Sequence, residues 1–490
     1  MSGNVPIPPP TPGRRLVADG IRVFLAECLL IPSGLLTAAY LARRLGPDGY
    51  GIFTVAAALV AWVEWSLTAV FSRASVKLVA EARDWRPVGS TIVSVHLGLA
   101  AAAAALLAVL AGPIAAWLDT PSLAAPLRLF ALDIPLFCLA QAHRGILVGI
   151  GDFGERALAA AARWLSRLLL VVLFVELGLS LSGAVLGSIG ASLVEIAVCR
   201  YFVRPALSLR AMRQIGRVWG VVAPLLVSAV ALRLFDRLDL VSLTVLGGRP
   251  EQLGHYGAAQ NLAILPTLFG LSFSPLLLST LTRAYRDGDQ SAARRVGRDA
   301  MRGVLLLLPF VAVCAGASDE LVALVFGPAF APAARLVPPL LGAALALVMV
   351  GVTTSVLTAA GRPGLGAAFT APLPVVAGLA YLAVIPALGP IGAARVTAAL
   401  AVVVAAALIA AVARVCGILP PPGTTVRSFM LTAGAYLAAL LWPASGPSVV
   451  VELIVLGVAV LAALVATGEL TPAEVAAARA WWRRAPSRSS

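Results

Sequence analysis

The sequence predicts an all-α polytopic membrane protein. About fourteen transmembrane helices are expected, as two parallel six-helix lobes around a central cavity plus a C-terminal helix pair. Three observations carry this expectation. The 490 residues are 60% hydrophobic and only 12% charged, against about 25% charged in a soluble domain. Apolar runs close to the roughly 20 residues that a bilayer crossing needs recur along the whole chain. The turns of the first half also reappear, in order, in the second.

In chain order, residues 1–14 hold the proline-rich PIPPPTPG, lack the pattern of a signal peptide and are expected to form a disordered tail. Apolar runs then fall near 18–42, 52–71, 91–116, 127–150, 164–181 and 183–203, which makes an N-terminal lobe over 15–205. A second set near 219–247, 259–280, 303–317, 333–360, 366–386 and 390–413 makes a C-terminal lobe over 218–415. Runs near 429–446 and 449–467 form an extra helix pair over 428–467, and 468–490 is a tail. Two amphipathic stretches, 72–89 and 281–299, read as short interfacial helices.

Net charge is +14, and Lys77 is the lone lysine, so the excess is arginine. In a membrane protein such an excess marks cytoplasmic loops rather than nucleic-acid binding. With a cytoplasmic N-terminus, those loops hold Arg73, Lys77, Arg83 and Arg86; Arg156, Arg163 and Arg167; Arg200, Arg204, Arg210, Arg213 and Arg217; and Arg283 through Arg302. Outer loops near 113–126, 178–183, 386–390 and 443–448 hold none, so both termini are expected inside. Arg43 and Arg44 break the rule.

The repeat rests on four pairs. Tyr50 aligns with Tyr256 at an offset of 206, Arg83 with Arg286 at 203, Gly151 with Gly361 at 210, and Gly183 with Gly392 at 209. An even number of helices per unit gives both copies the same orientation, the arrangement of parallel repeats that rock to give alternating access. Internal prolines such as Pro135, Pro224, Pro266 and Pro372 are expected to bend spans.

Ionisable residues inside spans are candidate functional groups. The seventh span reads RLFDRLDL and places Arg233, Asp236, Arg237 and Asp239 within two turns. Arg233, Asp236 and Arg237 share a helix face, and paired guanidiniums suit an anion such as phosphate. A self-neutralised packing cluster reads equally well from these residues. Arg22 and Glu27 stand in the first span and Glu64 between two tryptophans in the second. Asp133, Gln141, His143, Arg144, Glu176, Glu195, Arg395 and Glu452 complete the set. Five scattered cysteines and three distant histidines indicate neither a disulfide framework nor a metal site. The sequence lacks a Walker lysine motif, GxSxG and HExxH, so neither a built-in ATPase nor a hydrolase is expected, and no cofactor.

The runs LARRLGPDGYGIFTVAAALVAWVEWSLTAVFSRASVKLVAE, GILVGIGDFGERAL and RLFDRLDLVSL followed by LGHYGAAQNL resemble bacterial polysaccharide exporters of the oligosaccharide flippase type. These belong to the multidrug/oligosaccharidyl-lipid/polysaccharide exporter superfamily, and the resemblance covers about 15–415. It implies two six-helix bundles, an extra helix pair and a V-shaped cavity in a bacterial inner membrane. It further implies transfer of an undecaprenyl-diphosphate-linked oligosaccharide between leaflets, with a polysaccharide polymerase or chain-length regulator as partner and no nucleic acid. On this resemblance Arg22, Glu27, Glu64, Arg233, Asp236, Arg237 and Asp239 are the substrate-binding candidates. The first two spans hold few arginines, which favours a capsule, O-antigen or exopolysaccharide unit over a peptidoglycan precursor. The alternatives are a cation-coupled multidrug antiporter using Glu27, Glu64 or Asp133, and a membrane enzyme acting on lipid-linked sugars.

Overall fold

A computed structural model describes residues 29–206, 238–442 and 444–470, with some side chains inside the helices left out; among the described residues there is no strand. Arg22, Glu27, Arg233, Asp236 and Arg237 lie outside the described residues. The chain divides into two compact units, Met1–Gly254 and His255–Ser490.

The first unit contains α1 (Leu30–Glu81), α2 (Trp85–Trp117), α3 (Ala124–Ala131), α4 (Asp133–Ile150), α5 (Phe153–Phe174) and α6 (Ser180–Phe202), followed by a helical segment at 238–245. α7 (Pro250–Ala263) runs across the division. The second unit continues with α8 (Thr267–Arg286), α9 (Gln290–Gly316), α10 (Ser318–Phe326), α11 (Val337–Ala359), α12 (Pro363–Thr370), α13 (Leu373–Cys416), α14 (Pro422–Leu440) and α15 (Ser448–Ala466). Among the described residues, eight stretches are long and apolar enough to cross a membrane. Two of them, Phe153–Phe202 and Pro363–Cys416, have 50 and 54 residues and are broken at Gly178 and Gly389. At about 1.5 Å per residue each exceeds twice a bilayer core of about 30 Å. The protein is thus all-helical and multi-pass, but the described residues do not give the expected count of fourteen.

The two amphipathic stretches are not separate interfacial helices. α1 runs on to Glu81 and α2 begins at Trp85; α8 ends at Arg286 and α9 begins at Gln290. An aspartate starts the second helix of each pair. Asp84 accepts from the Arg86 amide at 3.1 Å and Asp289 from the Ala292 amide at 2.8 Å, satisfying amides that have no intrahelical partner. The donors at Asp289 also hold its carboxyl below the usual range, the Ala292 amide first and the Ser291 hydroxyl next.

Turn geometry repeats with the sequence. Gly151 (φ 90°) and Gly361 (φ 74°) close α4 and α11 in the left-handed region that glycine enters without strain. The next amide folds back identically in both, Asp152 N to Leu147 O at 2.9 Å and Arg362 N to Leu357 O at 2.8 Å. The turn at RRLGPDGYG corrects the register. Gly51 abuts Pro250, where an added Cβ would lie 1.8 Å from its carbonyl oxygen, and Gly254 reciprocally abuts Pro47, at 2.1 Å. Pro47 with Pro250 and Gly51 with Gly254 are both 203 apart, so Phe53, not Tyr50, corresponds to Tyr256. Steric need for small residues at this crossing, rather than the shared Tyr-Gly lettering, sets the register.

Arg44 pairs with Glu176, which also accepts from Tyr40 Oη at 2.9 Å. The arginine that broke the charge rule therefore has a counter-ion at the α5–α6 break.

Candidate functional site

α5 and α6 pack closely because α6 presents small residues. A Cβ on Gly183 would lie 2.8 Å from Phe174, and one on Gly187 2.6 Å from Val171, the close approach that small-residue spacing permits in membrane helices. This brings Arg163, Ser192 and Glu195 together. Arg163 Nη1 donates to Ser192 Oγ at 2.8 Å and to Glu195 Oε2 at 3.1 Å, and Ser192 Oγ donates to Asp133 Oδ1. From α4, Arg144 Nε lies 3.2 Å from Glu195 Oε1, an ion pair without hydrogen-bond geometry, and donates to Gln141 Oε1 at 3.1 Å. The Arg163 guanidinium stands 4.8 Å from the Phe137 ring centre, a favourable cation–π position. His143 packs on the same helix with Nδ1 2.8 Å from Leu139 O.

Glu64 of α1 joins this group. It is 6% exposed and lies within electrostatic reach of Asp133, Arg163 and Arg167. Its Oε1 and the Nε of Arg167 are buried without a hydrogen-bond partner among the described residues. Three guanidiniums (Arg144, Arg163, Arg167) thus face three carboxylates (Glu64, Asp133, Glu195), and the balanced charge ties α1, α4, α5 and α6 together. Asp133, Glu195 and Ser192 are 3%, 0% and 0% exposed. At Arg163, about 15 Å into α5 by helix rise, the cluster lies deep within a span.

Of the sequence candidates, the structure places Glu64 in this cluster. Asp239 is buried in segment 238–245, its Oδ1 accepting from the Leu240 amide at 2.7 Å, and it is not among the charges bearing on Glu64. Arg163 and Arg167, expected in a cytoplasmic loop, instead lie inside α5. A signal was present: they follow ALAAAA (157–162) at a spacing of four, so they extend a small-residue face able to pack closely. Among the described residues, no group of three or more His, Cys, Asp or Glu could hold a metal ion. Beside segment 238–245, an apolar groove of about 180 Å³ runs along Val55, Leu59, Trp117, Leu240 and Val245.

The profile of the family described as polysaccharide biosynthesis protein matches residues 16–275, more than half of the chain. A Shigella flexneri protein that carries the name of an O-antigen transporter is 30% identical over 174 residues. That match spans 34% of this chain and 41% of the Shigella protein, so it covers well under two thirds of that relative's length. Among solved structures, the lipid II flippase MurJ in its inward closed conformation aligns with a TM-score of 0.76 at 14% identity, over 91% of this chain and 97% of that one. An inward-facing multidrug resistance transporter of the MATE family, in the MOP superfamily, aligns at 0.57 and 16% identity, over 85% and 95%. Identities this low establish the fold alone, one found in both a flippase and a drug transporter.

Proposed function

The chain belongs to the polysaccharide biosynthesis protein family, and on that premise we propose that it is a flippase. It moves a lipid-diphosphate-linked oligosaccharide from the inner to the outer leaflet by alternating access, supplying polysaccharide biosynthesis. The observation that carries this reading is the family match over 16–275. The name of the Shigella relative agrees with it. The apolar groove beside Asp239 fits a hydrocarbon chain, which a lipid-linked substrate has and a bare sugar lacks. In this reading Arg22, Arg233 and Arg237 meet the diphosphate, because planar guanidiniums bind two oxygens at once. Glu27, Asp236 and Asp239 orient them, with Glu64 a further acid of the same set. The lobes at 15–205 and 218–415 do the work, the helix pair at 428–467 is an addition, and a polymerase or chain-length regulator receives the product. The protein resides in a bacterial inner membrane with both termini cytoplasmic.

A second reading, cation-coupled drug antiport, is favoured by one observation: Glu64 is a buried acid with an unpaired oxygen. Purified protein in liposomes separates the two. Leaflet transfer of a lipid-linked oligosaccharide is expected; dye extrusion driven by an ion gradient, without such transfer, overturns the flippase reading. Arg233→Ala and Arg237→Ala are each expected to impair transfer more than Arg210→Ala in the loop expected before that span, and equal transfer by all three at matched expression rejects the site. A reporter at Ser490 active only outside the cytoplasm rejects the orientation.

A further inference from the structure

The C-terminal helix pair holds two buried acids, one near each end of α15, and they are treated in opposite ways. Glu469, just beyond α15, is 3% exposed and fully partnered. Its Oε1 accepts from Arg427 Nη1 at 2.8 Å, its Oε2 accepts from Thr424 Oγ1 at 2.6 Å, and Arg302 Nε lies 3.5 Å from Oε2. The Arg302 guanidinium also donates to the Glu469 backbone carbonyl. This clasp joins α9, α14 and the end of α15.

Glu452 lies about 25 Å away along the helix axis. It is 0% exposed, and neither carboxyl oxygen has a hydrogen-bond partner among the described residues. The packed face of α15 is Val449, Glu452, Leu456, Val460 and Leu464. Against it stand Ala312 and Val313 of α9, Ala317, and Ala435 and Ala439 of α14, with Leu321 of α10 beside them. Contact there is tight: a Cβ on Gly316 would lie 2.7 Å from Ala439. Among the described residues, α9 beyond Arg302, all of α10, α14 beyond Arg427 and all of α15 contain neither arginine nor lysine. The titratable groups on those stretches facing this end are Cys314, Asp319, Glu320 and Tyr436, and the charge that bears on Glu452 is Glu320.

An ionised carboxylate in such a seam has neither donor nor counter-ion, and burying it so is strongly unfavourable. A metal cation would need several further oxygens, which alanine, valine and leucine side chains do not supply. A proton satisfies the charge and takes no space. We propose that Glu452 is a proton-binding site governing how α15 is attached: the seam closes on the neutral acid. Loss of the proton frees the N-terminal half of α15 from α9 and α14, while the Glu469 clasp keeps the other end fixed. The closed seam takes up a proton that the open one releases, so attachment is complete at low pH and is lost as pH rises.

Hydrogen exchange of the full-length protein in nanodiscs tests this, with rates over 448–456 corrected for intrinsic exchange and 306–313 of α9 as reference. Between about pH 5.5 and about pH 8.5, wild-type protection over 448–456 is expected to fall about tenfold relative to α9. With Glu452→Gln it should stay at the wild-type low-pH value throughout. With Glu320→Gln, which removes the neighbouring negative charge that opposes ionisation of Glu452, the fall should move to lower pH. Protection independent of pH in the wild type, or a Glu452→Gln protein that tracks the wild type, overturns the proposal. Should Glu452→Gln not fold, the wild-type series and Glu320→Gln still decide it.

Discussion

Asp133, Arg144, Arg163, Ser192 and Glu195 in the first half correspond to Ala343, Thr354, Leu373, Ala401 and Val404 in the second. The register is 210 for the first three, as Gly151 and Gly361 set it, and 209 for the last two, as Gly183 and Gly392 set it. Burial follows that register: Ala343, Leu373, Ala401 and Val404 are 3%, 5%, 0% and 8% exposed. Where the first half buries ions, four of these second-half positions are apolar and the fifth, Thr354, donates to Val350 O of its own helix at 2.8 Å; that half also has a bond between Tyr381 Oη and Thr397 Oγ1 at 2.8 Å. The same helical arrangement is therefore built over both chemistries, so the fold does not require charge at these positions. Buried ion pairs cost desolvation that apolar packing avoids. Their presence in one half only points to a demand on that half other than stability.

The comparison breaks most sharply at Glu195. Glu195→Ala strands Arg163 and Arg144 without their shared counter-ion and is expected to cost about 3–5 kcal/mol. The equivalent Val404→Ala should cost only roughly 1–2 kcal/mol for its lost apolar burial. Unfolding in detergent measures both. The comparison sharpens when the first half receives the residues of the second at once: Asp133→Ala, Arg144→Thr, Arg163→Leu, Ser192→Ala and Glu195→Val. That chain is expected to be about as stable as the wild type while transferring less lipid-linked oligosaccharide in liposomes. Undiminished transfer would assign the ions to packing alone.

A smaller loss is expected where the halves agree. Gly51→Ala and Gly254→Ala each drive a Cβ into a proline carbonyl, at 1.8 and 2.1 Å, and each should cost about 1–3 kcal/mol. Because the contact is reciprocal, the two losses should be similar. Gly342→Ala, with nothing within 4 Å of the added atom, should cost none. Unequal losses at 51 and 254 would mean that the two turns bear different loads.

Much of the fold was legible because membrane helices announce themselves by composition, and glycine with proline marks their breaks. Gly151, Gly361 and the stretch at 45–51 were readable as turns on those grounds. The register at Pro47 and Pro250 was not, because it depends on which backbone atoms approach each other, and letters carry no distances. Counting arginines assigns Arg163 and Arg167 to loops, whereas inside α5 Arg163 is held by Ser192 and Glu195 of another helix. Glu176 could not be matched to Arg44 from sequence, since 132 positions separate them. Glu64 was singled out as an acid among tryptophans, but its company of Asp133, Arg163 and Arg167 is a tertiary fact.

Weaker tests bear on the polar remnants of each half. Tyr381→Phe removes the hydroxyl bond to Thr397 and should cost about 1 kcal/mol, with Val171, its first-half counterpart, having no such bond to lose. Arg44→Gln should do least of all. Its side chain and that of Glu176 are 55% and 47% exposed, so water and salt already screen the pair. The unfolding midpoint of Arg44→Gln is expected to match the wild type at low and high salt alike, whereas Glu195→Ala should lower it in both. The two substitutions each break an arginine–glutamate pair in the first half and differ chiefly in burial. If Arg44→Gln were as damaging as Glu195→Ala, burial could not be what separates the ionic core of the first half from the rest, and the contrast with the apolar core of the second would lose its basis.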